Sequence, residues 1–237
     1  MNLLLLSNST NFGESYLAYS KKTIATFLGN AKENVVFIPY AGVTFSWDDY
    51  TQKVNEALAE VGISVQGIHL SENPIESIRN ADAIMIGGGN SFQLLHLMYE
   101  NNLIEIIKNK VTGGTPYVGW SAGSNLACPT IKTTNDMPII EPLSFKALDL
   151  VPFQINPHYT EAVIPNHGGE SRELRLLEFI EANNEMIAIG LPEGMIIQVT
   201  NENYELIGNK KVKIFQHGKN PYFVDSLDEL KSFVKTN

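Results

Sequence analysis

The sequence predicts an α/β fold: a mainly parallel sheet flanked by helices, with antiparallel hairpin strands towards the C-terminus. Three observations carry this. Short apolar runs alternate with longer amphipathic stretches, the signature of strand–helix–strand units. Most of these runs are three to six apolar residues long, which suits parallel strands buried on both faces. Beyond about residue 185 the helical spacing gives way to closely set strand runs and turns. No internal repeat, low-complexity tract or linker interrupts the 237 residues, so 1–237 is expected to form one domain.

Taken in order, strands are expected at 3–6, 35–38, 63–68, 83–86 and 117–119. Helices are expected between them at 15–28, 47–61, 74–79 and 92–110. In the last of these, Leu94, Leu95, Met98, Leu103, Ile106 and Ile107 recur with helical spacing. Prolines at 129, 138, 142, 152, 157 and 165 mark a region of loops and short strands. A helix follows at 171–182. Strands at 186–190, 195–200, 204–207 and 212–216 are joined by turns at Pro192-Glu193-Gly194, 201–203 and Gly208-Asn209. They read as hairpins added to the parallel sheet. A terminal helix is expected at 227–234.

Composition narrows the function. A net charge of −9 argues against a nucleic-acid partner, which needs a basic face to displace counterions. Cys128 is the one cysteine, so no intrachain disulfide forms and a reducing compartment fits. The N-terminal leucines follow no basic start, and no run of eighteen apolar residues exists. A soluble cytoplasmic protein without a membrane partner is expected. The five histidines are scattered and no H-E-x-x-H occurs, so neither a metal nor another cofactor is expected. Both monomer and homodimer stay open.

In open α/β sheets, ligands sit beyond the carboxyl ends of the strands. One such loop carries Gly119-Trp120-Ser121-Ala122-Gly123, a G-x-S-x-G between an expected strand and a short run of small residues. Ser121 is either a nucleophile on a sharp strand-to-helix turn or an ordinary helix N-cap. A serine nucleophile needs a base within hydrogen-bond reach and a carboxylate behind the base. His69 ends a strand run, His96 lies in a helix and His217 comes late. His158, in the constrained Asn156-Pro157-His158 turn, and His167, in a Gly-rich loop, remain as candidate bases, and the spacing gives His158 a small edge.

An oxyanion hole needs backbone N–H groups aimed at the developing charge. Ala122 offers one. The Gly87-Gly88-Gly89-Asn90 run, after a strand and before a helix, offers the other. That run also reads as a phosphate-binding turn, but neither G-x-G-x-x-G nor a Walker A pattern is present. Asn90 joins the candidate substrate-binding residues.

Beyond this G-x-S-x-G turn, the nucleophile elbow, ordered blocks spread along the chain resemble the peptidase E family of aspartyl dipeptidases, with cyanophycinase a more distant relative. They are LLLLSNS (3–9), FIPYAGVT (37–44), IGGGNSFQLL (86–95), GWSAGSNLACPT (119–130), TTNDMPI (133–139), QINPH (154–158) and GLPEG (190–194). The resemblance implies a flavodoxin-like or class I glutamine-amidotransferase-like sheet. It implies Ser121 as nucleophile and His158 as base, with Asp136 or Glu193 as the carboxylate behind it; Asp136 is preferred. Gly88 or Gly89, with Ala122, would hold the oxyanion. The substrates implied are dipeptides that begin with aspartate. Their side-chain carboxylate needs a cation, and Arg79, Arg172 and Arg175 are the only arginines. A comparable family arginine favours Arg172 over a solvated surface role.

Two other readings stay beside this one. A cyanophycinase-like or isoaspartyl peptidase would share Ser121 but accept β-linked or polymeric aspartate. A non-catalytic flavodoxin-like binding module would keep the fold alone. A glutamine amidotransferase would need a cysteine where Ser121 stands.

Overall fold

The computed structural model describes residues 1–162, 165–166 and 168–228. The first sheet contains β1 (Asn2–Leu6), β2 (Val35–Ile38), β3 (Val65–Gly67), β4 (Ala83–Ile86) and β5 (Tyr117–Trp120). These five run parallel in the order β3-β2-β4-β5-β1. The chain does this because both faces of the inner strands are greasy; the edge strand β3 exposes Gln66. Leu3 and Leu5 enter one core cluster while Leu4 and Leu6 enter the other. Val36 and Ile38 divide from Val35 and Phe37 in the same way. Successive side chains of a strand point to opposite faces, so an unbroken apolar run demands cover on both.

That cover comes from helices α1 (Lys21–Leu28), α2 (Trp47–Leu58), α3 (Pro74–Asn80), α4 (Ser91–Glu100), α5 (Leu103–Thr112) and α6 (Ala122–Leu126). Ser46 caps α2 by accepting from the Asp49 N–H at 3.0 Å, and Asn73 caps α3 with Pro74 at its first turn.

Three local expectations change. The helix expected at 92–110 is two helices, broken at Asn101-Asn102, where Asn102 takes φ 55°. Asparagine tolerates this left-handed conformation better than most residues, while the apolar spacing continues across the break and hides it. The helix expected at 15–28 starts at Lys21, since Leu17 sits at φ 56° in the preceding turns. The strand expected at 63–68 is trimmed to Val65–Gly67.

The C-terminal strands divide between two sheets. The hairpin of β8 (Ile196–Thr200) and β9 (Asn203–Ile207) joins the first sheet beside β1, antiparallel as expected. In contrast, β6 (Gln154–Pro157), β7 (Ile187–Leu191), β10 (Val212–Gln216) and β11 (Tyr222–Val224) form a second sheet in the order β11-β10-β7-β6. There β6 and β7 are parallel and the other pairs antiparallel. Strand β7 is fully buried, and α7 (Arg172–Ala182) packs Leu176 and Ile180 with Ala188 and Phe215 of this sheet. The Pro192-Glu193-Gly194 corner, with Gly194 at φ 84°, carries the chain from one sheet to the other. The expected helix at 227–234 lies almost wholly outside the described residues. Among the described residues, no helix is long and apolar enough to cross a membrane.

Candidate active site

Strand β5 delivers Ser121 at its carboxyl end, and α6 starts at the next residue. Ser121 sits at φ 53°, ψ −112°, a conformation that costs a non-glycine residue about 1–3 kcal/mol and persists only where its surroundings enforce it. They do. The Ser121 N–H donates to the Leu6 carbonyl at 3.0 Å, and Ser124 Oγ bonds the carbonyls of Leu6 and Gly119 at 2.6 and 2.8 Å. A Cβ on Gly119 would lie 2.5 Å from the Gly123 carbonyl oxygen, and one on Gly123 would lie 2.2 Å from that of Ile86. Both glycines of the motif are therefore fixed by the closeness of strand and helix, and Ser121 is no ordinary cap: its side chain makes no cap hydrogen bond.

His158 follows β6 directly, also at positive φ (54°). Its N–H donates to Ser7 Oγ at 2.9 Å, and that hydroxyl donates to the Leu191 carbonyl at 2.8 Å. The buried Ser7, at the end of β1, thus ties the histidine's backbone to the end of β7. The imidazole lies between two partners: Nε2 is 2.9 Å from Ser121 Oγ and Nδ1 is 2.7 Å from Glu193 Oε1. With Nδ1–H donating to the carboxylate, Nε2 carries a lone pair and accepts from the Ser121 hydroxyl.

The Glu193 corner is itself anchored. The Gly194 N–H donates to Asn8 Oδ1 at 2.8 Å, and Lys210 Nζ donates to the Glu193 carbonyl at 2.8 Å. Asn8 is buried, and Tyr19 donates to its carbonyl at 2.7 Å.

The preferred carboxylate of the sequence reading, Asp136, is elsewhere. Its Oδ2 accepts from the Ser91 N–H at 2.7 Å and from the Thr134 hydroxyl at 2.9 Å, at the start of α4. The correction has a simple cause: Asp136 is engaged by the helix terminus, while the corner between the two sheets brings Glu193 to the imidazole. His167 lies outside the described residues.

The glycine run flanks the serine. A Cβ on Gly88 would lie 2.9 Å from Ser121 Cβ, and Gly89 has φ 135° with the Ala41 carbonyl 2.2 Å from a Cβ placed there. Tyr50 Oη donates to the Gly88 carbonyl at 3.0 Å and accepts from Trp120 Nε1 at 3.1 Å. Burial raises the Tyr50 pKa, which keeps this hydroxyl protonated and donating. In a planar trans peptide the C=O of Gly88 and the N–H of Gly89 point in opposite directions. Tyr50 therefore holds the Gly89 N–H turned away from itself. Ala122, as the first residue of α6, has an N–H with no carbonyl four residues earlier in its helix.

Two cavities meet at Ser121 and His158, each lined by both residues. The smaller, about 120 Å³, is bounded by Ser91, Ala122, Asn135, Asp136 and Arg172. Arg172 starts α7, and its Nη1 is buried without a hydrogen-bond partner among the described residues. Burial and the nearby Arg175 lower its pKa, and Asp136 opposes them. Arg175 instead lies exposed near Glu170 at 3.8 Å, and Arg79 pairs with Glu76 on α3. Nearly buried Lys213 donates to both Glu161 and Glu173, joining the loop after His158 to the turn that carries Arg172. The larger cavity, about 600 Å³, is bounded by Tyr16, Phe45, Tyr50, Lys53 and the glycine run.

Asn90 lies outside both cavities, as does Glu193, which reaches the site through the His158 imidazole. The Asn90 Oδ1 caps α4 by accepting from Phe92 and Gln93 at 3.0 Å, and its Nδ2 donates to the Met137 carbonyl at 2.8 Å, so its side chain is committed to structure. Sequence reading missed Ser7, Asn8 and Tyr50. The Ser7-Asn8 pair had a visible signal, polar residues directly after four buried leucines; Tyr50 had none. Among the described residues, no group of three or more His, Cys, Asp or Glu side chains could hold a metal ion. Burial pushes the Cys128 thiol pKa well above its usual value, so it offers no second nucleophile.

Comparison with known proteins places the chain among the peptidases. It belongs to peptidase family S51, whose sequence profile matches residues 3–207. It is 53% identical over 231 residues to Peptidase E of Nostoc sp. (strain PCC 7120), covering 96% of each chain. It is 50% identical over 219 residues to Peptidase E of Salmonella paratyphi A (strain ATCC 9150), covering 92% of this chain and 95% of the other. The fold matches the crystal structure of a peptidase from an acI-B1 Actinobacterium with a TM-score of 0.67 at 17% identity, over 96% and 95% of the two chains.

Proposed function

We propose that this peptidase is a serine dipeptidase that hydrolyses dipeptides with an N-terminal aspartate through an acyl-enzyme. The observation that carries the mechanism is the Ser121–His158–Glu193 chain of hydrogen bonds, 2.9 and 2.7 Å long. His158 Nε2 takes the proton of Ser121 Oγ as the oxygen attacks the carbonyl of the Asp-X bond. The carboxylate of Glu193 fixes the tautomer and stabilises the imidazolium that forms. The N–H groups of Gly89 and Ala122 receive the oxyanion, with Gly88 packed behind. The imidazolium then protonates the leaving amine. Water, deprotonated by the same histidine, hydrolyses the aspartyl ester and restores the serine.

The smaller cavity supports the aspartate specificity. A buried guanidinium nitrogen without a partner is costly, and a substrate carboxylate would satisfy it. Asp136 lines the same cavity and would receive the substrate's α-ammonium. A cavity of about 120 Å³ suits a short side chain rather than a polymer. The test is a substrate panel: kcat/KM for Asp-Leu, Asn-Leu and the β-linked Asp-Leu isomer. A clear preference for Asp-Leu is expected. Preference for the β-linked isomer would support the isoaspartyl reading, and inactivity on all Asp-X dipeptides would overturn the proposal.

A further inference from the structure

We infer that the larger cavity is the subsite for the residue released from the substrate, and that Lys53 on its wall binds that residue's free α-carboxylate. This rests on the Asp-X reading and adds to it the reason the substrate is a dipeptide.

Ser121 and His158 line both cavities, so a peptide bond under attack has one side in each. The smaller cavity holds Arg172 and Asp136 and suits the aspartyl residue. The residue beyond the scissile bond then falls into the cavity of about 600 Å³, whose wall of Tyr16, Phe45 and Tyr50 is aromatic. Phe45 and Tyr50 meet edge to face at 5.1 Å and present apolar surface to a side chain.

Among the described residues, Lys53 is the one lysine or arginine on that wall. Its Nζ stands 4.4 Å from the centre of the Tyr16 ring. Among the described residues, no carboxylate lies within ion-pair distance of it. Asp49, one turn earlier on α2, lines the same cavity and sits in the helix's first turn, where a negative charge suits the dipole. Its repulsion confines an incoming carboxylate to the Lys53 side. Tyr16 is half-buried and its ring face contacts the ammonium without taking up its N–H groups, so it holds Lys53 in place and leaves it able to bind a carboxylate.

An Asp-X dipeptide carries two carboxylates and one ammonium; Arg172 and Lys53 offer a cation to each carboxylate and Asp136 an anion to the ammonium, while Asp49 stays with the first turn of its own helix. In a longer peptide a neutral amide would meet Lys53 in place of the terminal carboxylate, and the attraction would be lost. Lys53 thereby acts as a length gauge.

The test compares Asp-Leu with its C-terminal amide in wild type and in Lys53→Met. Amidation is expected to lower wild-type kcat/KM by about tenfold, mainly through KM. Lys53→Met is expected to lower kcat/KM for Asp-Leu by about as much, and amidation is expected to make no further difference in the variant. Lys53→Arg is expected to restore discrimination between acid and amide. An equal amidation penalty in wild type and Lys53→Met would overturn the assignment, as would wild type that ignores amidation. Failure of the underlying reading looks different: wild type would then leave Asp-Leu itself uncleaved.

Discussion

Replacing Glu193 by glutamine removes a charge and leaves the side chain's shape. The carboxylate accepts from His158 Nδ1 at 2.7 Å. A hydrogen bond to a charged partner contributes about 1.5–3 kcal/mol. Here the carboxylate and imidazole side chains are 47% and 36% exposed, so water screens the pair and about 2 kcal/mol is the reasonable share. That energy bears on the imidazolium formed during attack, so it falls on kcat. At 1.36 kcal/mol per factor of ten, the expected loss is about 30-fold in kcat. KM should move little, since Glu193 is not on the wall of either cavity. Asp136→Asn is the matched control. It keeps an oxygen for the Ser91 N–H but loses the charge beside Arg172. It is expected to raise KM about tenfold and leave kcat within about threefold. The assay is steady-state hydrolysis of Asp-Leu followed by release of leucine. A 30-fold loss of kcat in Asp136→Asn with near-normal turnover in Glu193→Gln would refute the assignment.

Two further outcomes follow from the same geometry. Arg172→Ala should lower kcat/KM for Asp-Leu by about tenfold or more, equivalent to about 1.4 kcal/mol, and an unchanged value would remove Arg172 from the site. Tyr50→Phe deletes the hydroxyl that orients the Gly88–Gly89 peptide while keeping the ring against Phe37 and Phe45. Of the hydrogen bonds lost, the one to the Gly88 carbonyl bears on the oxyanion site; at about 1 kcal/mol it should lower kcat about fivefold with KM unchanged, and a kcat equal to wild type would show that the peptide holds its direction without Tyr50.

The parallel half of the fold was legible because its inner strands are apolar on both faces. The elbow was legible in part. Gly119 and Gly123 announced a tight turn, but only the contacts with Ser124 and Ile86 show why nothing larger fits. The break at Asn102 was hidden because the apolar spacing passes through it unchanged. The second sheet was hidden because strand runs do not say which neighbour they pair with: β7 and β8 are adjacent in sequence yet belong to different sheets. The same limit decided the carboxylate. Asp136 lies 22 residues before His158 and Glu193 lies 35 after it, and neither distance along the chain reveals which one the corner between sheets carries to the imidazole. Asn90 was misread for a related reason. Its place after three glycines suggested a ligand contact, but it is the N-cap of α4.

Ser121→Ala is the most direct test of the central claim that Ser121 attacks an aspartyl peptide bond. Asp-Leu hydrolysis should be measured for wild type and variant, each with and without EDTA. Wild type is expected to turn over rapidly, unaffected by the chelator, and removing the hydroxyl is expected to lower kcat at least about a thousandfold. Turnover by Ser121→Ala close to wild type, or wild-type activity abolished by EDTA, would contradict that claim.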